Sequence, residues 1–381
     1  MSEAARGSEF LVDADSHVLE PPDLWERYLE ARYRERAIRI VPGPGGTEQL
    51  VADGEVLMPM GLAGLGGAEH DAPTVFGTPT LKYMDTAPRA SFDTSARLAL
   101  MTEWGVNAGV VFPTIGILWD KERDPELAMA WARAYNRWQA DFVAPARERL
   151  WPIAHIPLYD AKLARKELER CLHAGFKGMF VAPEPVLGKR PSHPDFDPVW
   201  ALLEEAGLPF CLHVIVRFNR SLGGVSQWYS RDAGEFNAVF GFGLGGTYQL
   251  IPAISSIVCD GLFDRFPRLK AFVVEAGGGW AGYVMDRLDE KYARFGSPFM
   301  RRRPSEYFRE NVWVCCDPSE RGVDATCDLL GEEHVLWGSD YPHIDAHVSA
   351  PQEIRAAVAG LSEKRRKLVL GENARKLFAG S

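Results

Sequence analysis

Apolar and polar positions along this chain alternate on two scales. Short apolar runs recur as "FLVDAD" (10–15), "AGVVFPT" (108–114), "LWPIAHIP" (150–157), "KGMFVAP" (177–183), "PFCLHVIV" (209–216), "KAFVVEA" (270–276), "VWVCCDP" (312–318) and "VLWGSD" (335–340). Most are β-branched or aromatic and bounded by Gly, Pro or Asp, the pattern of parallel strands buried on both faces. Between them lie stretches such as "DPELAMAWARAYNRWQADFV" (124–143) and "DAKLARKELERCLHAG" (160–175), in which apolar residues return every three or four positions. That spacing predicts amphipathic helices, and the second ends at a Gly stop. Strand and helix alternating about eight times predict an α/β fold with a parallel sheet, and the count favours a closed (β/α)8 TIM barrel over an open sheet. No internal repeat or long linker interrupts the rhythm, so residues 1–381 are expected to form a single domain.

Two stretches depart from it. Residues 42–80 are rich in Gly and Pro and predict a small insertion, such as a hairpin. Residues 217–250 combine glycines with Trp228, Tyr229, Phe236, Phe240 and Phe242. That much aromatic surface is costly to leave in water. The segment is therefore expected to fold over the barrel mouth as an aromatic-rich loop, with Trp228 and Phe242 in a substrate pocket. Arg217, Arg220 and Arg231 could pair with a substrate carboxylate, or at least two of them are solvated surface charges.

Composition removes several classes. The formal net charge is −9 and no basic stripe is interleaved with aromatics, so nucleic acid is not an expected partner. No run of about 18 apolar residues predicts a membrane span, and "MSEAARGSEF" has no signal-peptide core. Six cysteines form no C-x-x-C pair and several sit in apolar runs, which fits a reducing, cytoplasmic setting.

Ligand-type side chains gather at the carboxyl ends of the strands. Asp13, Asp15 and His17 share one side of the first strand, because strand side chains alternate. His213 lies in the fifth, Glu275 ends the sixth before "AGGGW", and Asp317 stands near the end of the seventh. Asp340 ends the eighth in "WGSDYPH", with His343 three residues on. Singly, each reads as a helix cap or as a surface strand end with solvated carboxylates and a half-exposed histidine. Jointly, at the end where barrel enzymes build their sites, they predict a divalent metal held by oxygen and imidazole donors.

With these residues in view, the chain resembles the amidohydrolase superfamily, in the amidohydrolase-related (amidohydrolase 2) branch. That branch includes aminocarboxymuconate-semialdehyde decarboxylase and the resorcylate-type decarboxylases. The landmarks are "DADSHVLEPPDLW", "MTEWGVNAGVVFPT", "AYNRWQADF", "GLFDRFPRLKAFVVEAGGGWAGYVMDRLDE", "VLWGSDYPH" and "VLGENARKLF", spread over nearly the whole chain. The resemblance implies a metal-bearing barrel. In it, Asp15 stands where many members have the first histidine or a glutamate, His17 and His213 keep the family histidines, and Asp340 binds metal or moves protons. It also implies homo-oligomerisation. On strand six, decarboxylase-type members have "HGGG", whereas this chain puts Glu275 in the histidine's place.

The substitution gives Asp15, Glu275 and Asp340 three negative charges beside two imidazoles, and they need compensation. One Zn²⁺ compensates two of them; two bridged divalent ions compensate all three, and a carboxylate-rich shell also suits Mn²⁺ or Fe²⁺. Glu20 and His343 would be extra ligands, or a loop cap and a hydrogen-bond partner. The expected function is hydrolysis or decarboxylase-type C–C lyase chemistry on a small, partly apolar organic acid or amide, with Asp340 as general base and Glu275 and His343 beside it. The alternative is a non-haem di-iron or Mn/Fe oxygenase, motivated by Glu275. A third reading, a catalytically inactive partner subunit, fits poorly with an intact ligand set.

Overall fold

The computed structural model describes residues 9–118, 124–216 and 237–379. Its strands are β1 (Val12–His17), β2 (Arg39–Pro42), β3 (Glu48–Ala52), β4 (Glu55–Met58), β5 (Ala108–Phe112), β6 (Leu150–Pro152), β7 (Ala154–His155), β8 (Met179–Val181), β9 (Pro209–His213), β10 (Lys270–Val274), β11 (Val312–Cys316) and β12 (Val335–Trp337). All eight apolar runs supply strands. The fold is mixed α/β with parallel sheets: one in the order β1-β5-β6, the other β12-β11-β10-β9-β8-β7. Only Ile153 separates β6 from β7. At the other edge, a parallel bridge joins Ser16 to Tyr341, and the Tyr341 carbonyl accepts from the His17 N–H.

The parallel strands are short and almost wholly buried, so nearly every residue in them packs on both faces, as continuous apolar runs require. Helices Pro125–Val143 and Ala161–His173 match the two amphipathic stretches, each opened by an Asp (Asp124, Asp160) whose carboxylate accepts first-turn N–H groups. In the insertion, the hairpin β3-β4 joins β2 in a three-stranded antiparallel sheet, and helical turns follow over Leu62–Glu69 and Ala72–Gly77.

The expectation of a loop over 217–250 is corrected from Ala238 onward. Residues 217–236 lie outside the described residues, and from Ala238 to Cys259 the chain is helical. Asn237 caps this helix by accepting from the Phe240 N–H, which lets the aromatic run begin as helix. By length and composition alone it is long and apolar enough to cross a membrane, a test that the core helix of a soluble protein also passes. Leu250, Ala253, Ile254, Ile257 and Val258 bury its second half in the protein.

Candidate metal centre

β1 carries Asp15 and His17 to its carboxyl end, β9 carries His213, and the turns after β10 and β12 carry Glu275 and Asp340. The two histidines are held from behind. The Nδ1 of His17 donates to the Pro113 carbonyl at 2.8 Å and that of His213 to the Val214 carbonyl at 2.8 Å. With the Nδ1 proton so committed, a neutral ring presents a bare Nε2. Those two nitrogens lie 3.2 Å apart. Burial holds His17 below its ordinary range, so it carries no extra proton to bridge the gap.

Carboxylate oxygens fill the same space. Asp15 Oδ1 lies 3.4 Å from His17 Nε2 and 3.8 Å from His213 Nε2. Asp340 Oδ1 is 3.4 Å from His17 Nε2, and Glu275 Oε2 is 3.2 Å from His213 Nε2. Asp15 Oδ1, Glu275 Oε2 and Asp340 Oδ2 are buried without a hydrogen-bond donor. Donors bound at 2.0–2.2 Å to one ion stand about 3.0–3.5 Å from their neighbours, so the observed spacing fits a divalent cation. Nitrogen lone pairs and carboxylate oxygens converging this closely repel one another without one.

Local backbone geometry places the two turn carboxylates. Glu275 and Asp340 both adopt left-handed conformations, with φ of 60° and 56°. Such residues are uncommon outside Gly and cluster at functional sites. Asp340 is aimed by a stitch between first and last strands: the Ser339 and Asp340 N–H groups donate to the Asp15 carbonyl. Asp13 accepts from the Ser339 N–H at 2.9 Å and from its hydroxyl at 2.6 Å. Asp13 therefore braces the centre rather than joining it. A register shift between Asp13 and Ser16 breaks the simple alternation expected of that strand.

The electrostatics follow from burial. Burial and the negative charges of Asp15, Asp345 and Asp317 push Glu275 well above the usual carboxylate range. Burial, Glu275, Asp345 and Asp15 do the same to Asp340. For Asp15, burial acts upward but the two adjacent imidazoles, His17 and His213, outweigh it, and the group stays below the ordinary range. His343 is kept neutral by burial and by the nearby His17 and His213. Its Nδ1 lies 2.7 Å from Asp340 Oδ1 and its Nε2 lies 2.9 Å from Thr114 Oγ1. A neutral ring protonated on Nδ1 satisfies both contacts, donating to the carboxylate and accepting from the hydroxyl.

The centre thus unites Asp15, His17, His213, Glu275, Asp340 and His343. Glu20 is not a ligand. Its buried carboxylate accepts from the N–H groups of Thr114, Ile115 and Gly116 and so fixes the loop after β5. Arg287 pairs with Glu290, leaving Glu275 to the centre. Phe242 stays half exposed, its ring 6.1 Å from Phe76, and Trp228 and Arg217 lie outside the described residues. Sequence reasoning missed Asp345, which follows His343 by two and adds negative charge beside Asp340, and missed the brace formed by Asp13.

Comparisons with known proteins bear on this centre. The family model described as amidohydrolase matches residues 12–380. A gamma-resorcylate decarboxylase from Polaromonas sp. is 27% identical over 297 residues, covering 74% of this chain and 86% of that protein. A 2-amino-3-carboxymuconate-6-semialdehyde decarboxylase from Dictyostelium discoideum is 23% identical, covering 69% and 70%. Among solved structures, an amidohydrolase from Mycobacterium avium subsp. paratuberculosis has a TM-score of 0.78 at 23% identity, covering 97% of this chain and 99% of that one. A dihydroxybenzoic acid decarboxylase from Polaromonas sp. JS666, with bound manganese and 2-nitroresorcinol, has a TM-score of 0.67 at 19% identity, covering 97% of each chain.

Proposed function

The chain belongs to the amidohydrolase family, and from that premise we propose that it is a metal-dependent carbon–carbon lyase that decarboxylates a hydroxylated aromatic acid. The observation that carries this reading is the pair of bare Nε2 atoms of His17 and His213, 3.2 Å apart and flanked by carboxylates. The named relatives in the same family are decarboxylases, which favours lyase chemistry over the oxygenase. Manganese is the ion of choice, because the shell is rich in oxygen and a solved neighbour holds it.

Asp15, His17, His213 and Asp340 would hold the ion, which supplies a Lewis acid for the substrate's oxygen atoms. Two carboxylates match its two charges. The third then retains its proton, and the charge pattern assigns that part to Glu275. Burial and neighbouring carboxylates raise both groups, but Asp340 Oδ1 receives a donor from His343, whereas Glu275 Oε2 has none. Glu275 would deliver its proton to the ring carbon bearing the carboxylate. The bond to the carboxyl carbon then breaks, its electron pair returns to the ring, CO2 departs, and Glu275 recovers a proton from water. Asp340 with His343 would hold the geometry and can relay that proton.

We further read the two parallel sheets as one closed (β/α)8 barrel and the chain as one domain. In support, β6 runs into β7 across a single residue, β1 meets the β12 edge at Ser16 and Tyr341, and one apolar cluster spans all the parallel strands. The test is CO2 release from 2,6-dihydroxybenzoate and 5-carboxyvanillate by the manganese-loaded enzyme in D2O. Deuterium should appear at the vacated ring position, with one ion per chain. No CO2 from any hydroxylated benzoate, or two ions per chain, would overturn the reading.

A further inference from the structure

A second cavity opens on the same end of the parallel strands, beyond the ends of β7 and β8. The atom-free space there, counting open solvent at its mouth, is about 500 Å³, between Leu158, Tyr159, Phe180, Ala182, Val186 and Phe196. Its inner wall is shared with the metal centre. The Phe180 ring stacks on His155 at 5.1 Å on one side and meets His213 at 5.6 Å on the other. Buried Phe180 is thus the partition that separates His213 from the cavity.

The floor of this cavity is built with unusual care. His155 donates from Nε2 to the Gly116 carbonyl at 3.0 Å, and the Gly116 N–H is one of those held by Glu20. A Cβ at residue 116 would lie 2.7 Å from Pro113 and 2.9 Å from His155, so only glycine lets the two segments close. Buried Asn136 brackets His155 from the far side, accepting from its N–H at 2.9 Å and donating to its carbonyl at 3.1 Å. Buried polar groups that fix an apolar pocket's floor cost desolvation and do not lengthen the sheet. At the mouth, the Lys189 ammonium is taken up by Asp195. The cavity therefore presents a mainly apolar interior, with Glu184 on its lining and its nearest cation already neutralised, a poor berth for an acid group and a better one for a ring.

We propose that this side pocket binds the end of the substrate remote from the metal, and that the preferred substrate class is a hydroxylated aromatic acid enlarged by a second, apolar ring. The proposal rests on the lyase reading for the placement of the acid group and adds the shape of the remainder. Ala182 and Val186, on its wall, are the specificity-determining positions.

The experiment is calorimetric titration of the manganese-loaded full chain with 3-hydroxy-2-naphthoate and with salicylate. The wild type should bind the two-ring acid at least tenfold tighter, a difference of about 1.4 kcal/mol. Ala182→Trp and Val186→Trp, which fill the pocket from different points, should each abolish that preference and leave salicylate affinity within twofold. Equal binding of the two acids by the wild type, a parallel loss of salicylate in both variants, or binding of neither acid would overturn the proposal. CO2 measurement separates this from the lyase reading. A ring preference removed by the variants without CO2 release leaves the pocket standing and the lyase assignment fallen. CO2 from one-ring acids with no ring preference does the reverse.

Discussion

Replacing Glu275 by Gln keeps the side-chain shape and removes a single titratable proton. With Asp15 and Asp340 matching a divalent ion, ionised Glu275 would put a like charge within 4.8 Å of Asp340. At an effective dielectric constant of about 20, that repulsion is about 3 kcal/mol, enough to keep the proton on Glu275 near neutrality. The amide has no such proton to give. General acid catalysis contributes about 10²–10⁴-fold, so kcat for decarboxylation should fall by at least 100-fold. The manganese content should stay near one per chain, because the two histidines and two other carboxylates remain. The wild-type profile should lose activity at high pH as Glu275 gives up its proton, and the variant's residual rate should lack that limb. Steady-state CO2 release from pH 5 to 9, with metal analysis on the same samples, reads all three. A kcat within threefold of wild type would remove Glu275 from the chemistry. Loss of the ion would make it a ligand and revive the two-ion alternative.

The brace and the strand seam give three more expectations. Asp13→Asn removes one of the two acceptors that hold Ser339, so manganese affinity should fall about 10–100-fold by equilibrium dialysis while the fold survives. Burial raises Asp13 from 3.8 to about 7 despite its bonds to Ser339, so the folded chain holds this proton more tightly than the unfolded one. Metal-free stability should therefore drop as pH rises from about 4 to 7, by at most about 1.4 kcal/mol per pH unit, and thermal denaturation of Asp13→Asn should show a flatter slope. Gly338→Ala would place a Cβ 2.1 Å from that of Asp15, against backbone that cannot move aside, and should lower stability by at least about 3 kcal/mol in urea denaturation.

Much of this was legible in the chain because burial and periodicity are written locally. A parallel strand packed on both faces must be apolar along its length, which is why "KAFVVEA" and "VWVCC" were readable as β10 and β11. The helix Pro125–Val143 carries both its period and its Asp124 cap in sequence. Asp15, His17, His213, Glu275 and Asp340 were recognisable as ligand types at strand ends, where an unpaired carboxylate or imidazole is hard to bury. What escaped was what depends on backbone direction and distant partners. Asp13 looked like a third ligand of the first strand, but a register shift turns it toward Ser339, more than 300 residues away. Phe240 and Phe242 suggested a loop because glycines surround them, yet Asn237 caps a helix there and the glycines lie within it. Glu20 could be read as cap or ligand until Thr114, Ile115 and Gly116 were seen to aim their N–H groups at it.

The stitch between β1 and the end of β12 also sets a clock. Asp15 and His17 leave the ribosome early, but Asp340 and the Ser339 that aims it are made more than 300 residues later. At about 5–20 residues per second, the first half of the centre waits roughly 15–65 s for the second. During that interval the nascent chain carries ligands without a site, and a metal ion captured then would be held by whatever partners were at hand. The ion can find its full set only after the last strand has closed on the first, so metal content would report on completed chains, and nearly any C-terminal truncation reaching Asp340 would be born without a cofactor.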